Sequence, residues 1–278
     1  MSRPEHIAPP EIFYNDSEAG KYTSNTRVQQ IQAEMTYRAL ELLGDNDGQT
    51  PKFLLDIGCG SGLSGEILDE EGYYWLGCDI SPSMLSIALE RDLEGDLMLS
   101  DIGSGVHVRA GSFDGAISIS VLQWLCNADS TSANPGSRLM RFFNSLYAAL
   151  SRGSRAVFQF YPESDDQVGF IMGFAQKAGF SGGLVVDYPN SRKAKKFYLC
   201  LFAGVSGKEV QMPAAKTETG TVSNVGRQSQ STHRPPRTNI KHSAKDHINH
   251  KKHLQRQKGK QGVPLDSKYT GRKRRDGF

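Results

Sequence analysis

The chain has 278 residues, 37% of them apolar and 23% charged, enough for one large domain or two small ones of ordinary globular composition. Its formal charge of +3 hides an uneven division: residues 1–206 carry 16 Lys plus Arg against 25 Asp plus Glu, a net of −9, and residues 207–278 carry 17 against 5, a net of +12. No stretch approaches the roughly 20 apolar residues of a membrane span, and Cys59, Cys78, Cys126 and Cys200 lie too far apart for a paired zinc motif or a disulfide framework, which predicts an intracellular soluble protein with reduced thiols and no metal site.

Residues 1–23 are rich in Pro and aromatics (Pro4, Pro9, Pro10, Phe13, Tyr14, Tyr22) and read as an ordered arm rather than an amphipathic helix. From Ser24 or Asn25 a helix is predicted, because Val28, Ile31, Met35, Leu40 and Leu43 share one face and Gly44 closes it. Arm and helix either cap a ligand cleft or merely pack on the sheet. In the capping case Lys21 and Tyr22 are the residues placed to reach the ligand.

The stretch Phe53 to Gly65, FLLDIGCGSGLSG, organises the rest. A buried strand, Phe53 to Ile57, runs into Gly58, Gly60 and Gly62, and glycines are required where a turn needs backbone angles that side chains forbid or a ligand lies against bare main chain. Gly60 to Gly65 spells the dinucleotide fingerprint, yet its first glycine falls several residues past the strand's end. Read instead as acid-x-Gly-x-Gly-x-Gly from Asp56, the motif sets a carboxylate at the strand's edge. That charge favours the cationic end of S-adenosylmethionine and repels a pyrophosphate. Gly58, Cys59, Gly60, Ser61 and Gly62 are accordingly assigned to this cofactor with Asp56.

A crossover helix from Leu63 to Glu71 leads to a second strand, Tyr73 to Asp79, whose terminal acid lies 17 residues beyond Gly62 and is placed to accept both ribose hydroxyls. Ser81-Pro82 reads as a cap and first helical residue, so Ile80, Ser81 and Met84 fall beside the adenosine. A short third strand, Asp96 to Ile102, brings Asp101 and Ile102 toward the adenine, although a solvated loop Asp would look the same.

Strand four, Phe113 to Ser120, runs into VLQWL, and ligands of open α/β sheets bind outside the carboxyl ends of the strands. Ser118, Ser120, Gln123 and Trp124 therefore approach the reacting end of the cofactor. Trp124 either stacks a substrate base or belongs to the core. After a loop at Asn127 to Gly136 come a helix to Leu150, a break at Gly153, and strand five, Arg155 to Tyr161. A helix from Asp166 to Ala178 and an antiparallel pair, Gly183 to Tyr188 and Lys196 to Phe202, complete a doubly wound α/β sheet, the Rossmann-like arrangement of class I methyltransferases.

Residues 207–278 hold two aromatics, Tyr269 and Phe278, and too few apolar residues to offset chain entropy, so disorder is predicted. Lys251-Lys252, Lys258, Lys260 and Arg272-Lys273-Arg274-Arg275 suit phosphate contacts and nuclear import. The expected organisation is an arm and cap helix (1–48), a cofactor-binding domain (49–205) and a basic segment (206–278).

PPEIFYNDSEAGKYTSN, LLDIGCGSGLSGEIL, GCDISPSML, FDGAISISVLQWLCNAD, KAGFSGGLVVDYPNSRKAKKFYLCLF and the closing KYTGRKRR together resemble the eukaryotic methyltransferases that modify a guanine N7 in 18S ribosomal RNA. The resemblance spans residues 3–205 and resumes at the terminus. It implies a role in small-subunit biogenesis and pre-rRNA processing in the nucleus and nucleolus, with the cytoplasm as a further compartment. It also implies a heterodimer with a small zinc-binding activator, whose strand would pair with the sheet edge at 96–102, where Leu97, Met98 and Leu99 form an apolar run. Guanine N7 has a free lone pair, so no general base is expected, and Ser118, Gln123, Trp124 and Tyr161 become the residues that position the base. Two other functions fit the same fold: a small-molecule methyltransferase and an RNA-binding assembly factor whose presence matters more than its catalysis.

Overall fold

A computed structural model describes residues 3–44, 51–127, 134–191, 193–204 and 212–216, together with 249, 252, 255, 256 and 262–266. Seven strands, β1 (Phe53–Ile57), β2 (Tyr74–Asp79), β3 (Asp96–Leu99), β4 (Phe113–Ile119), β5 (Leu150–Phe160), β6 (Ser181–Asp187) and β7 (Lys196–Phe202), lie in the order β3-β2-β1-β4-β5-β7-β6. The strands from β3 to β5 run parallel, and β7 is antiparallel to both β5 and β6. The strand order reverses between β1 and β4, which opens a crevice at their carboxyl ends.

Both faces of the sheet are covered, which is why the central strands read as continuous apolar runs. On one face Leu55, Ile57 and Phe158 pack against Leu139, Phe142 and Leu146 of α6 (Pro135–Ala149) and Ile171 of α7 (Asp165–Lys177). On the other, Leu54, Ile117 and Val157 meet Met35, Ala39 and Leu42 of α3 (Thr26–Leu43) and Ile67 and Leu68 of α4 (Leu63–Glu70). Helix α5 (Pro82–Glu90) begins at Ser81, whose Oγ accepts from Met84 N at 3.2 Å, and Asn25 caps α3 in the same manner.

Three expectations require correction. The arm is helical: a 3-10 turn at Pro4–His6 precedes α1 (Pro10–Phe13) and α2 (Asp16–Ser24), the last capped by Asn15. Strand β3 stops at Leu99 because the Asp101 carboxylate accepts from Gly103 N at 2.8 Å and winds Ile102–Ser104 into a 3-10 turn. Strand β5 starts at Leu150, with Gly153 (φ +88°) inside it where the pairing with β4 shifts register.

The chain divides into two compact units, Met1–Thr217 and Glu218–Phe278. The first extends past residue 205, because a buried ion pair needs backbone partners from beyond it. Arg38 Nε and Nη2 donate to Asp187 at 2.8 and 3.0 Å, Arg38 also donates to Ala214 O, and Lys216 N donates to Asp187 at 2.7 Å. In the second unit Arg256 forms a two-pronged pair with Asp266 at 3.0 and 3.2 Å. Of the basic clusters singled out there, Lys251, Lys258, Lys260 and Arg272 to Arg275 lie outside the described residues.

Candidate functional site

The carboxyl ends of β1, β2, β3 and β4 open into one cleft. The β1 loop supplies its floor. Gly58, Gly60 and Gly62 all have positive φ (+71°, +55° and +78°). A Cβ on Gly58 would lie 2.2 Å from Val121 Cγ2, so the loops after β1 and β4 meet there, whereas a Cβ on Gly60 would face open space.

Asp79 ends β2 and lines the cleft. One carboxylate oxygen accepts from Gly60 N at 2.9 Å and the other from Ser81 N at 2.8 Å. The carboxylate keeps acceptor capacity for a ribose hydroxyl. Met84, Ile102 and Leu125 give apolar walls for a flat base. Asp101 lies beside them, with one oxygen taken by Arg138 Nη2 at 3.0 Å. Ser61 Oγ is buried in the cleft lining with no partner among the described residues, an acceptor and donor left for a ligand.

Of the residues expected at the cofactor, Tyr22, Gly58, Cys59, Gly60, Ser61, Asp79, Ile80, Met84, Asp101 and Ile102 line this cleft, as does Trp124. Others do not. Lys21 turns outward to Glu18 at 2.7 Å. The Asp56 carboxylate is sealed under the loop, accepting from Ser64 Oγ at 2.5 Å, so it braces the loop and α4 and does not line the cleft. Gly62 caps α4, Ser81 caps α5, and buried Ser118 donates to Ile57 O at 2.7 Å.

Gln123 and Tyr161 line a second cavity of about 460 Å³, which shares Tyr14, Tyr22, Gln32, Ser120 and Trp124 with the first. Gln123 Nε2 donates to Ser120 O at 2.8 Å. Ser120 has φ +65°, rare for a residue with a side chain, and is held by its Oγ donating to Gln159 Oε1 at 2.9 Å. Trp124 is 8% exposed and in contact with Phe13 and Tyr14, so it is both a packed side chain and a wall of the two cavities.

Pro10, Tyr14, Gln32 and Arg138 were not foreseen in the cleft. They come from the arm, α3 and α6, and only long-range packing brings them in. The arm is pinned across the opening: Ser81 Oγ donates to Tyr14 O at 2.8 Å, Arg3 donates to Tyr161 O and Pro162 O at 2.8 and 2.9 Å, His6 pairs with Glu163, and Asn127 Nδ2 donates to Glu5 O at 2.9 Å.

Burial pushes the Asp56 carboxyl up to about 7, against the Ser64 bond and with help from Asp79. Burial also raises Asp79, opposed by bonds from Ser81, Gly60 and Ile80 N–H groups. Tyr14 is pushed up to about 12, first by burial and then by Asp79 and Glu5, and burial raises Tyr22 as well. These phenols stay protonated near neutral pH. Among the described residues neither cavity is lined by a histidine. The cleft thus offers acids, apolar walls and bare backbone, which together fit a nucleoside bearing a cationic tail.

Residues 55–158 match a family model described as "Methyltransferase domain", and residues 201–276 match one described as "Methyltransferase involved in Williams-Beuren syndrome". The chain is 58% identical to the 18S rRNA (guanine(1575)-N(7))-methyltransferase of Saccharomyces cerevisiae, over 100% of both chains. It is 52% identical to the 18S rRNA (guanine-N(7))-methyltransferase of Mus musculus, over 99% of this chain and 98% of that one. A relative of the same description from Arabidopsis thaliana is 50% identical over 100% and 99% of the two chains. Among solved structures, a SAM-dependent methyltransferase from Aquifex aeolicus matches with a TM-score of 0.51 at 15% identity, over 68% of this chain and 98% of that one. The phosphoethanolamine N-methyltransferase 2 of Haemonchus contortus, solved with S-adenosyl-L-methionine, gives 0.50 at 16%, over 73% and 60%. These two agree in fold alone.

Proposed function

The chain belongs to the family of 18S rRNA (guanine-N7)-methyltransferases, and we propose that it transfers the methyl group of S-adenosylmethionine to N7 of a guanine in small-subunit ribosomal RNA. The observation that carries this reading is full-length identity above half to such enzymes, joined to a cleft whose donors suit that cofactor. Identity extends through the basic segment, so the relationship is not confined to the cofactor domain.

Asp79 would hold the ribose hydroxyls, Met84 and Ile102 the adenine faces, Asp101 the adenine amino group, and Ser61 with the Gly58 to Gly60 backbone the methionine end. Asp56 and Ser64 keep that loop in place from below. The bound cofactor supplies an electrophilic methyl on a sulfonium. Guanine N7 brings its own lone pair, so the protein needs no base, and rate comes from holding nucleophile, carbon and sulfur in line. Tyr14, Tyr22 and Trp124, shared by the two cavities, form the passage between cofactor and base.

A small zinc-binding activator is the proposed partner. Strand β3 lies at the sheet edge, with Leu99 60% exposed and Leu97 and Met98 half-buried, so a partner strand there would satisfy unpaired backbone and cover apolar surface. The proposed setting is small-subunit biogenesis in the nucleus and nucleolus.

Radiolabelled methyl transfer from S-adenosylmethionine to immature small-subunit particles, by the full chain co-expressed with that activator, tests the reading. N7-methylguanine in the product is expected, and its loss in Asp79→Ala. Cofactor bound without transfer would favour an assembly factor instead, and no cofactor bound by the folded complex would remove the assignment altogether.

A further inference from the structure

The second cavity contains a buried carboxylate that the cofactor does not use. Glu5 sits in the 3-10 turn of the arm, its side chain 5% exposed, and lines this cavity with Gln123, Trp124 and Tyr161. Its Oε1 accepts from Arg3 Nη1 at 3.1 Å, while Arg3 is itself fixed by the carbonyls of Tyr161 and Pro162. Its backbone carbonyl is fixed by Asn127 Nδ2. Among the described residues no hydrogen bond reaches Oε2. A carboxylate buried with spare acceptor capacity and pinned from both sides is a site for a ligand that brings N–H donors.

Guanine brings such donors on one edge. When N7 faces the methyl group, the opposite, Watson–Crick edge presents N1–H and the exocyclic N2 amine. Adenine has an acceptor at N1 and no amine at C2. Resting on the guanine-N7 reading, we infer that Glu5 selects the base, its carboxylate accepting N1–H and N2–H of the target guanine. The contact strengthens during reaction. The N7 lone pair forms the new N–C bond as the C–S bond breaks with its electron pair left on sulfur, so positive charge passes to the purine ring. A carboxylate on that ring's N–H edge stabilises the change, which makes Glu5 act on kcat as well as KM.

The test compares the wild-type full chain, Glu5→Gln and Glu5→Ala, each with the activator, on 18S rRNA transcribed with guanosine or with inosine triphosphate. Inosine keeps N7 and N1–H but lacks the N2 amine. Calorimetry with S-adenosylmethionine is expected to give the same affinity for all three proteins, which establishes that the variants fold. Wild type is expected to prefer guanosine RNA by about 10- to 100-fold in kcat/KM. Glu5→Gln, which turns an amine toward N1–H, is expected to lose about the same factor on guanosine RNA, mostly in kcat, and to show little preference between the two RNAs. A variant with reduced rate but the wild-type guanosine preference would overturn the inference and leave Glu5 a structural residue of the arm. Unimpaired transfer by Glu5→Ala would overturn it equally. Absence of any N7-methylated purine with wild type on both RNAs and on immature particles would overturn the underlying reading and this inference with it.

Discussion

At Gly58 and Gly60 the same backbone requirement has different consequences. Both have positive φ, but a Cβ on Gly58 would strike Val121 Cγ2 at 2.2 Å, and one on Gly60 would meet nothing within 4 Å. Gly58→Ala therefore combines backbone strain with overpacking and is expected to lose about 2–4 kcal/mol of stability. Gly60→Ala loses only the backbone part, about 1–2 kcal/mol, but its methyl fills space over which the cofactor's methionine end would lie. Urea denaturation should rank Gly58→Ala as the less stable variant, while calorimetry should find cofactor affinity weakened in Gly60→Ala beyond its stability loss. Asp56 gives a pH signature of its own. Its carboxyl titrates near 3.8 ordinarily and at about 7 when folded, so between these values the folded state holds a proton that the unfolded chain has released. Stability from this group is complete below pH 3.8 and falls as pH rises through about 7. Asp56→Asn is expected to flatten that decline in the cofactor-free protein, measurable as urea midpoints at acid and alkaline pH.

The arm behaves as a strap whose buckle is Ser81. That hydroxyl accepts from Met84 N as the cap of α5 and donates to Tyr14 O, and it is fully buried. Ser81→Ala is expected to cost about 1–3 kcal/mol and to speed hydrogen exchange across residues 10–24. Unchanged exchange there would mean that Arg3, His6 and Asn127 hold the arm without it. The helices and strands of the sheet were readable in the sequence because caps and periodicity announce them: Asn25 and Gly44 bracket α3, Ser81-Pro82 opens α5, and Phe53 to Ile57 is apolar ahead of a glycine turn. The arm was not readable as helix, because its helices are short and its partners, Ser81, Tyr161, Pro162 and Asn127, lie far along the chain. The same limit applies at the site. Asp79 and the glycines stood where their spacing put them, but nothing local distinguishes Asp56, sealed beneath the loop, from a carboxylate facing the cleft, and nothing near Asp101 announces Arg138.

Charge divides the chain at the scale of its two units. Residues 1–217 carry 18 Lys plus Arg against 26 Asp plus Glu, and residues 218–278 carry 15 against 4, so the unit that contains the cofactor cleft has a net of −8 and the other +11. An acidic body suits a sulfonium cofactor and disfavours a phosphate backbone, whereas the basic unit can release counterions from RNA. Removing residues 218–278 is therefore expected to leave affinity for S-adenosylmethionine unchanged, since every residue lining the cleft lies before Thr217. RNA affinity should fall, and its salt dependence should fall with it, because each phosphate contact on single-stranded RNA contributes a slope of about −0.7 in log K against log salt. Binding of an 18S rRNA fragment to the two proteins across a salt titration reads both quantities. A slope that survives truncation would place the phosphate contacts on the body, where Lys196 Nζ lies 5.6 Å from the centre of the Tyr161 ring. A slope that collapses would assign capture of the RNA to the basic unit and leave the body with recognition of the base.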